Sequence, residues 1–183
     1  MKQLIDTLRA GGLILYPTDT IWGIGCDATS PEAVAKVYAL KKREDSKSLV
    51  ILVSDENMLA RYVKEIPDVA QMLLEVNDAP MTIIYPDAEK ALAANCVAAD
   101  GSIAIRIPQS DFCVNLIRKF GRPIVSTSAN ISGEPSPKCY SDITEAIVKG
   151  VDCVAPQVFD GGAGKASQII KVGYDGEIKI IRG

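Results

Sequence analysis

Short apolar runs alternate with segments of helical periodicity along the whole chain, and this alternation limits the folds open to it. Residues 13–16 and 49–53 have the composition of buried strands, as do the later runs MTIIYP, SIAIRIP and PIVSTS. Strands that alternate with helices predict an α/β domain. Asp175 and Gly176 form a strong turn dipeptide near the end of the chain, which predicts a hairpin and a mixed rather than purely parallel sheet.

Helices are predicted from apolar spacing and from residues that favour helix ends. Apolar residues at helical spacing predict a helix over 2–10, and Ser30 followed by Pro31 begins another that runs to about residue 40. Further helices are predicted to begin at 54–56 and to cover 67–76, 111–121 and 142–150.

The size and composition of the chain fit one domain over residues 1–183. With 48% hydrophobic and 23% charged residues, 183 residues are enough to bury a core without disulfides or metals. No apolar run approaches the ~18 to 20 residues that span a bilayer, and the first residues lack a secretory pattern. We therefore expect a cytoplasmic protein with no membrane partner.

The absence of histidine narrows the chemistry further. Without histidine the chain cannot use a Ser-His-Asp or Cys-His mechanism or bind a metal through imidazole. Its five cysteines are an odd number without a C-x-x-C pair, which argues against a disulfide framework and a zinc ribbon. The net charge of -3 gives no global attraction to nucleic acid, so an RNA partner would require a local basic patch.

Two segments carry basic side chains suited to anions. KKREDSKS (41–48) is either a solvated charged loop or a phosphate-binding cluster. In SIAIRIP, Ser102, Ala104 and Arg106 share one face of a strand, and Arg106 is either an edge-strand charge or an anion clamp at the strand end.

Hydroxyl and amide side chains are concentrated in PIVSTSANISGEPSP (123–137). This segment is either a loop rich in turn formers or a ligand cradle at the carboxyl end of a strand. FDGGAGKASQI (159–169) fails the P-loop pattern because Ala166 follows Gly164-Lys165, and it favours a flexible glycine-rich loop. Near the N-terminus, YPTDTIWGIG interrupts a buried strand with hydroxyls and Asp19, whose isolated carboxylate fits a capping or structural role.

The order of these segments resembles the YrdC-like family of L-threonylcarbamoyladenylate synthases over nearly all of the chain. The resemblance is carried by YPTDTIWGIGCDA, the K-x-R of KKREDSKSL, SIAIRIP, STSANISGEPSP, and the closing ASQI and IKIIRG. It implies a YrdC-like α/β domain whose twisted mixed sheet, flanked by helices, forms a concave and locally basic cavity. The chain looks like the single-domain form, with no room for an additional C-terminal domain.

The resemblance implies synthesis of threonylcarbamoyl-AMP and pyrophosphate from L-threonine, bicarbonate and ATP. The product would serve threonylcarbamoyladenosine modification of tRNA, through a downstream transferase machinery. No covalent nucleophile and no protein-bound metal are implied, and Mg²⁺ would be carried mainly by ATP. The residues implied around threonine are Thr20, Arg106, Ser128 and Ser167. Those implied around ATP are Lys41, Arg43, Lys47, Ser102, Asn130, Ser136 and Arg182.

The chain departs from the family pattern at several places. Trp22 replaces the usual tyrosine of the first motif, Leu52 stands where some relatives have histidine, and NDAPMT (77–82) lacks a common glycine. Two other functions remain open: a non-catalytic module that binds double-stranded RNA or tRNA through the basic segment, and a carbamoyl-adenylate activity like that of hydrogenase-maturation carbamoyltransferases. Those carbamoyltransferases hold the domain within a much longer chain, which disfavours the carbamoyl-adenylate alternative.

Overall fold

The computed structural model describes residues 1–43, 49–157, 162 and 164–183. Helices and strands alternate through these residues, which confirms the predicted α/β class. The helices are α1 (Lys2–Arg9), α2 (Pro31–Lys41), α3 (Glu56–Leu59), α4 (Asp68–Val76), α5 (Asp111–Phe120) and α6 (Glu145–Gly150). The strands are β1 (Ile14–Tyr16), β2 (Gly23–Gly25), β3 (Val50–Leu52), β4 (Met81–Tyr85), β5 (Ile103–Arg106), β6 (Ile124–Ser128), β7 (Cys153–Val154), β8 (Gln168–Val172) and β9 (Ile178–Arg182).

Helix ends follow the capping residues of the sequence. The Ser30 hydroxyl accepts a hydrogen bond from the Ala33 amide at the start of α2, where Pro31 is the first helical residue. At α3 the cap is Asp55, whose carboxylate accepts from the Met58 amide. The predicted helix over 142–150 is shorter, since α6 begins at Glu145.

The strands of the described residues form one sheet in the order β7-β1-β2-β6-β3-β5-β4-β8-β9. The pairs β7/β1, β3/β5 and β4/β8 are parallel, and the other neighbours are antiparallel. The predicted mixed sheet is therefore confirmed. So is the closing hairpin, in which Gly176 takes a positive φ of 84° between β8 and β9.

The strand β2 was not predicted, because glycine is depleted in strands and gives no apolar alternation. It pairs with β1 on one side and β6 on the other. A Cβ at Gly25 would lie 2.7 Å from Cε1 of Tyr16 and 3.0 Å from Cγ2 of Ile124. Close packing against a neighbouring strand therefore requires the glycine at this position.

Strand register gathers small and polar side chains on one face of the sheet. Gly23 lies opposite Ser128 across β2 and β6, and Val50 lies opposite Ser126 and Ala104. Cross-strand partners share a face, and Arg106, two residues beyond Ala104, shares it too. This face is the floor of the candidate site described next.

The core is formed by apolar strand residues and by the buried faces of the helices. In α1 the buried residues are Leu4, Ile5 and Leu8, as their helical spacing predicts. None of the helices in the part of the chain that the structure describes is long and apolar enough to cross a membrane.

Candidate active site

A cavity of about 260 Å³ lies over the central strands of the sheet. It is bounded by the β1–β2 loop, the ends of β5 and β6, the residue before β8 and the end of β9. Its lining is Thr20, Ile21, Trp22, Gly23, Arg43, Val50, Arg106, Ser126, Thr127, Ser128, Ser136, Ala166, Ser167, Ile169 and Arg182.

The structure brings together most of the residues that the sequence analysis singled out. All four residues implied around threonine line this cavity, although they are far apart in the chain. Three of those implied around ATP line it as well, namely Arg43, Ser136 and Arg182. Lys47 lies outside the described residues.

The other three predicted ATP residues do not line the cavity. The Ser102 hydroxyl donates to Oδ1 of Asp100 at 2.5 Å, and both residues line a separate cavity of about 380 Å³. The side-chain nitrogen Nδ2 of Asn130 donates to the carbonyl oxygens of Ile131 and Glu134. Asn130 therefore shapes the turn that follows β6.

Lys41 is buried beneath the same turn. Its Nζ donates to the carbonyl oxygens of Ser128 at 2.5 Å and Asn130 at 2.6 Å. Burial, together with the nearby positive charge of Arg43, lowers the pKa of Lys41 to about 8. The ammonium group thus fixes the backbone next to Ser128 instead of facing the cavity.

Arg106 is held by an almost fully buried ion pair. Its Nη1 donates to Oδ1 of Asp19 at 2.6 Å, and the two side chains are 4% and 10% exposed. The second carboxylate oxygen of Asp19 accepts from the Gln109 amide at 3.1 Å. The isolated carboxylate of the PTDT segment therefore orients the arginine.

Thr20 contacts the same arginine. Nη2 of Arg106 donates to Oγ1 of Thr20 at 3.3 Å, and that oxygen lies 2.8 Å from Oγ1 of Thr18. Thr18 is not among the residues predicted for the site. Its only sequence signal is its place two residues before Thr20 in the PTDT segment.

Arg182 joins the end of β9 to the start of β8. Its Nε and Nη2 donate to the carbonyl oxygen of Ser167 at 2.9 and 2.7 Å. The Ser167 hydroxyl lies 2.7 Å from Oγ1 of Thr82, which is fully buried on β4. Burial, together with the positive charge of Arg106, lowers the pKa of Arg182.

Positive charge exceeds negative charge along the described lining. Three arginines line the cavity, at positions 43, 106 and 182, and no carboxylate is found among the described lining residues. Arg43 is partly buried, and this desolvation of its charged form lowers its pKa. Desolvated guanidinium groups beside hydroxyls suit carboxylate and phosphate ligands.

The glycine-rich segment packs against the PTDT loop. A Cβ at Gly162 would lie 2.6 Å from the carbonyl oxygens of Thr18 and Thr20, so the two backbones are in close contact. The Gly164 amide donates to the carbonyl oxygen of Thr20 at 2.9 Å. Residues 159–161 and 163 of this segment lie outside the described residues.

Trp22 forms part of the apolar wall. Its ring packs edge-on against Tyr140 with centroids 5.1 Å apart, and its side chain is buried. Ile21, Val50, Ala166 and Ile169 complete the apolar lining. The cavity therefore combines an apolar wall with a cationic and hydroxyl-bearing floor.

Cys113 lies behind the PTDT loop and supports it. Its thiol donates to the carbonyl oxygen of Pro17 at 3.4 Å. Burial raises the pKa of this thiol to about 12. Cys113 thus stays protonated at neutral pH, which makes it a packing residue and a poor nucleophile.

Residues 6–183 match the family model for Sua5, YciO and YrdC proteins, described as telomere recombination. The chain belongs to the Sua5/YciO/YrdC family. A member from Photobacterium profundum, named threonylcarbamoyl-AMP synthase, is 32% identical over 146 residues, which cover 78% of each chain. A member of the same name from Vibrio campbellii is 30% identical over 183 aligned residues, 94% of this chain and 98% of the relative.

Solved structures of the Sua5/YciO/YrdC family share this fold. The crystal structure of Pyrococcus abyssi Sua5 complexed with L-threonine superposes with a TM-score of 0.81 at 28% identity. The match covers 93% of this chain and 50% of that one. The chain thus spans about half the length of the archaeal Sua5 and nearly all of the Vibrio relative.

Proposed function

We propose that the chain is an L-threonylcarbamoyladenylate synthase, which forms threonylcarbamoyl-AMP and pyrophosphate from L-threonine, bicarbonate and ATP. The observation that carries the proposal is the convergence of Thr20, Arg106, Ser128 and Ser167 with Arg43 and Arg182 around one cavity. The names of the Photobacterium and Vibrio relatives and the threonine complex of the Pyrococcus Sua5 support it.

In this proposal one half of the cavity binds threonine. The Arg106 guanidinium pairs with the carboxylate of threonine. Because Asp19 holds one side of this guanidinium, the remaining N–H donors of Arg106 are oriented for that role. The hydroxyls of Thr20, Ser128 and Ser167 bind the polar groups of the amino acid. The apolar wall at Trp22 receives nonpolar parts of the substrates.

The other half of the cavity binds ATP. Arg43 and Arg182 contact phosphate oxygens, with Ser136 nearby in the lining and Lys47 as an additional proposed phosphate contact. Lys41 and Asn130 act indirectly here, because their polar groups hold the turn after β6. Ser102 lines a separate cavity and donates to Asp100 there, so this proposal gives it no direct contact with ATP.

The proposed reaction needs no covalent enzyme intermediate. The threonine amine attacks the carbon of carbon dioxide derived from bicarbonate and loses a proton, which gives a carbamate. A carbamate oxygen then attacks the α-phosphorus of ATP, and the bond to the departing pyrophosphate breaks. The arginines stabilise charge that develops on the phosphate oxygens, while the hydroxyls orient the amino acid.

We propose that Mg²⁺ reaches the site on the triphosphate. No cluster of three His, Cys, Asp or Glu that could hold a metal is found within 1–43, 49–157, 162 and 164–183. The described lining offers guanidinium and hydroxyl groups, which suit phosphate oxygens better than a cation. When bound, the ion would neutralise phosphate charge.

The wider role that we propose is the first step of tRNA threonylcarbamoyladenosine formation. Residues 1–183 would act as one catalytic domain in the cytoplasm and pass the adenylate to a transferase machinery. Direct RNA binding draws less support, since the ammonium of Lys41 is buried on backbone carbonyls and is not available to a phosphate backbone. RNA affinity with a steep salt dependence and no adenylate product would favour that alternative.

The function is tested by pyrophosphate release and by mass spectrometry with labelled bicarbonate. Pyrophosphate release is expected to require threonine, bicarbonate and ATP together, with the label in a threonine–AMP adduct. Arg106→Ala is expected to raise the KM for threonine on the order of 100-fold, because a charge-assisted contact is lost. Arg118→Ala, which removes an exposed arginine, is the matched control.

ATP turnover that ignores both threonine and bicarbonate would contradict the proposed function. If Arg106→Ala matched the wild type in threonine titration, the assignment of Arg106 would be wrong even with the function intact.

A further inference from the structure

Arg182 faces the cavity because strand β9 departs from regular pairing just before it. Ile170 lies opposite Ile180, whereas the next pair along β8 joins Ile169 to Arg182, so Ile181 is an extra residue in β9. In a regular strand Arg182 would share the face of Ile180, since alternate residues lie on one face. The extra residue turns Arg182 to the face of Ile169, and both residues line the cavity.

The guanidinium group of Arg182 has two edges that can donate hydrogen bonds. One edge consists of Nε and Nη2, which donate to the carbonyl oxygen of Ser167 at 2.9 and 2.7 Å. The other consists of Nη1 and the second N–H of Nη2, and Nη1 has no hydrogen-bond partner in the part of the chain that the structure describes. One guanidinium edge can bind a phosphate through two hydrogen bonds. Arg182 can therefore bind a phosphate and keep its contact with Ser167.

The position of Ser167 depends on such side-chain contacts. Ser167 precedes Gln168, the first residue of β8 that pairs with β4, so strand pairing begins only after it. Its hydroxyl lies 2.7 Å from Oγ1 of the fully buried Thr82, and its carbonyl oxygen accepts from Arg182. The arginine proposed for ATP thus holds the backbone of a residue proposed for threonine.

We propose that Arg182 couples the two halves of the cavity, so that a nucleotide bound to Arg182 strengthens threonine binding through Ser167. The inference rests on the proposed function and deepens it. A phosphate on the second edge restricts rotation of the Arg182 side chain, and the same side chain holds the Ser167 carbonyl. Whichever ligand binds first orders a group that the other also needs, which makes the two binding events mutually favourable.

The test is calorimetric titration of L-threonine without bicarbonate, in the absence and in the presence of saturating α,β-methylene-ATP. The methylene group of this analogue replaces the oxygen whose bond to the α-phosphorus would break. We expect the analogue to lower the Kd for threonine about fivefold. Threonine should lower the Kd for the analogue by the same factor, because coupling between two binding sites is reciprocal.

Arg182→Lys separates the geometry of the guanidinium from its charge. Lysine keeps the positive charge but lacks two edges that hold separate groups in a fixed geometry. We expect the ratio of the two threonine Kd values to fall to about 1, with the analogue again at saturation. Arg182→Gln is a second variant with the same expected ratio. Coupling that came from charge alone, or from direct contact between the ligands, would remain in Arg182→Lys.

The matched control is Arg43→Lys, because Arg43 also lines the cavity and is also proposed to contact phosphate. We expect this variant to bind the analogue more weakly but to keep the wild-type ratio once the analogue is at saturation. A wild-type ratio of 1, an unchanged ratio in Arg182→Lys, or an equal loss of the ratio in Arg43→Lys would overturn the inference.

The outcome for the proposed function is read separately, from pyrophosphate release. A wild-type ratio of 1 in protein that releases pyrophosphate only with threonine, bicarbonate and ATP overturns the coupling alone. Wild-type protein that shows the coupling but releases no pyrophosphate overturns the proposed function alone. Protein that binds neither threonine nor the analogue overturns both.

Discussion

At the scale of single residues, the Asp19–Arg106 ion pair is the contact whose loss should cost most. Both side chains are nearly buried, so Asp19→Asn leaves the Arg106 charge without its partner. We expect the free energy of unfolding to fall by about 3 kcal/mol and the affinity for threonine to weaken, as measured by urea denaturation and threonine titration.

The control for Asp19→Asn is Glu145→Gln, which breaks an exposed ion pair with Lys149 on α6. Exposed pairs contribute less than about 1 kcal/mol, so this change should be small. Equal effects of the two substitutions would show that burial does not strengthen the Asp19–Arg106 pair.

Individual residues also show how far the sequence could predict the site. Hydroxyl clusters and an arginine within an apolar strand identified Ser128 and Arg106, both of which line the cavity. The family resemblance implied Lys41 at ATP, whereas its ammonium group lies under a turn; a run of basic residues does not say which of its members is buried. The contact between Asp19 and Arg106 joins residues 87 positions apart, which no local pattern encodes.

At the scale of elements, β2 depends on a glycine packed against β1 and β6. Gly25→Ala would place a methyl group 2.7 Å from the Tyr16 ring, which is held in the core. Overpacking of this kind is expected to lower the free energy of unfolding by roughly 1–3 kcal/mol. Gly23→Ala is the matched control, since its Cβ would have contacts of 3.4 Å or more, and urea denaturation should show a smaller loss.

The end of α2 is joined to the turn after β6 through Lys41, and this connection should depend on pH. Its pKa of about 8 lies below the ordinary value of 10.5, so the unfolded chain binds more protons between these two pH values. The contribution of Lys41 to the free energy of unfolding should therefore rise with pH across that window. The rise is on the order of 3 kcal/mol at most, since a tenfold difference in proton affinity is worth about 1.4 kcal/mol.

Urea denaturation of wild type and Lys41→Met at pH 7 and pH 10 measures this dependence. The difference in unfolding free energy between the two proteins should favour the wild type more strongly at pH 10. Lys149→Met, which removes an exposed lysine, should show no such change with pH. A Lys41→Met difference that is the same at both pH values would contradict the prediction.

Elements with strong local patterns were predicted well, and the exceptions have physical causes. Helices such as α2 and α5 begin at serine caps that are visible in the sequence. Strand β2 contains two glycines, and β7 has two residues, so neither gives an alternating apolar pattern. Both strands form because β1 lies between them as a pairing partner.

At the scale of the whole molecule, the alternation of elements predicted the α/β class and the hairpin predicted a mixed sheet. Strand order did not follow from either. The parallel pairing of β4 with β8 joins residues near 82 to residues near 169, and β6 lies between β2 and β3. Which strands become neighbours depends on how the complete sheet packs. Short-range periodicity carries no information about this packing.

The convergence of Thr20, Arg43, Arg106, Ser128, Ser167 and Arg182 on one cavity ties binding to folding of the whole chain. No short fragment holds these groups, so the cavity exists only once distant segments have closed on one another. A ligand that joins them adds its binding energy to the global unfolding equilibrium, about 2.7 kcal/mol at one hundred times its Kd. The concentration of substrate therefore influences how often the molecule unfolds and becomes accessible to proteases.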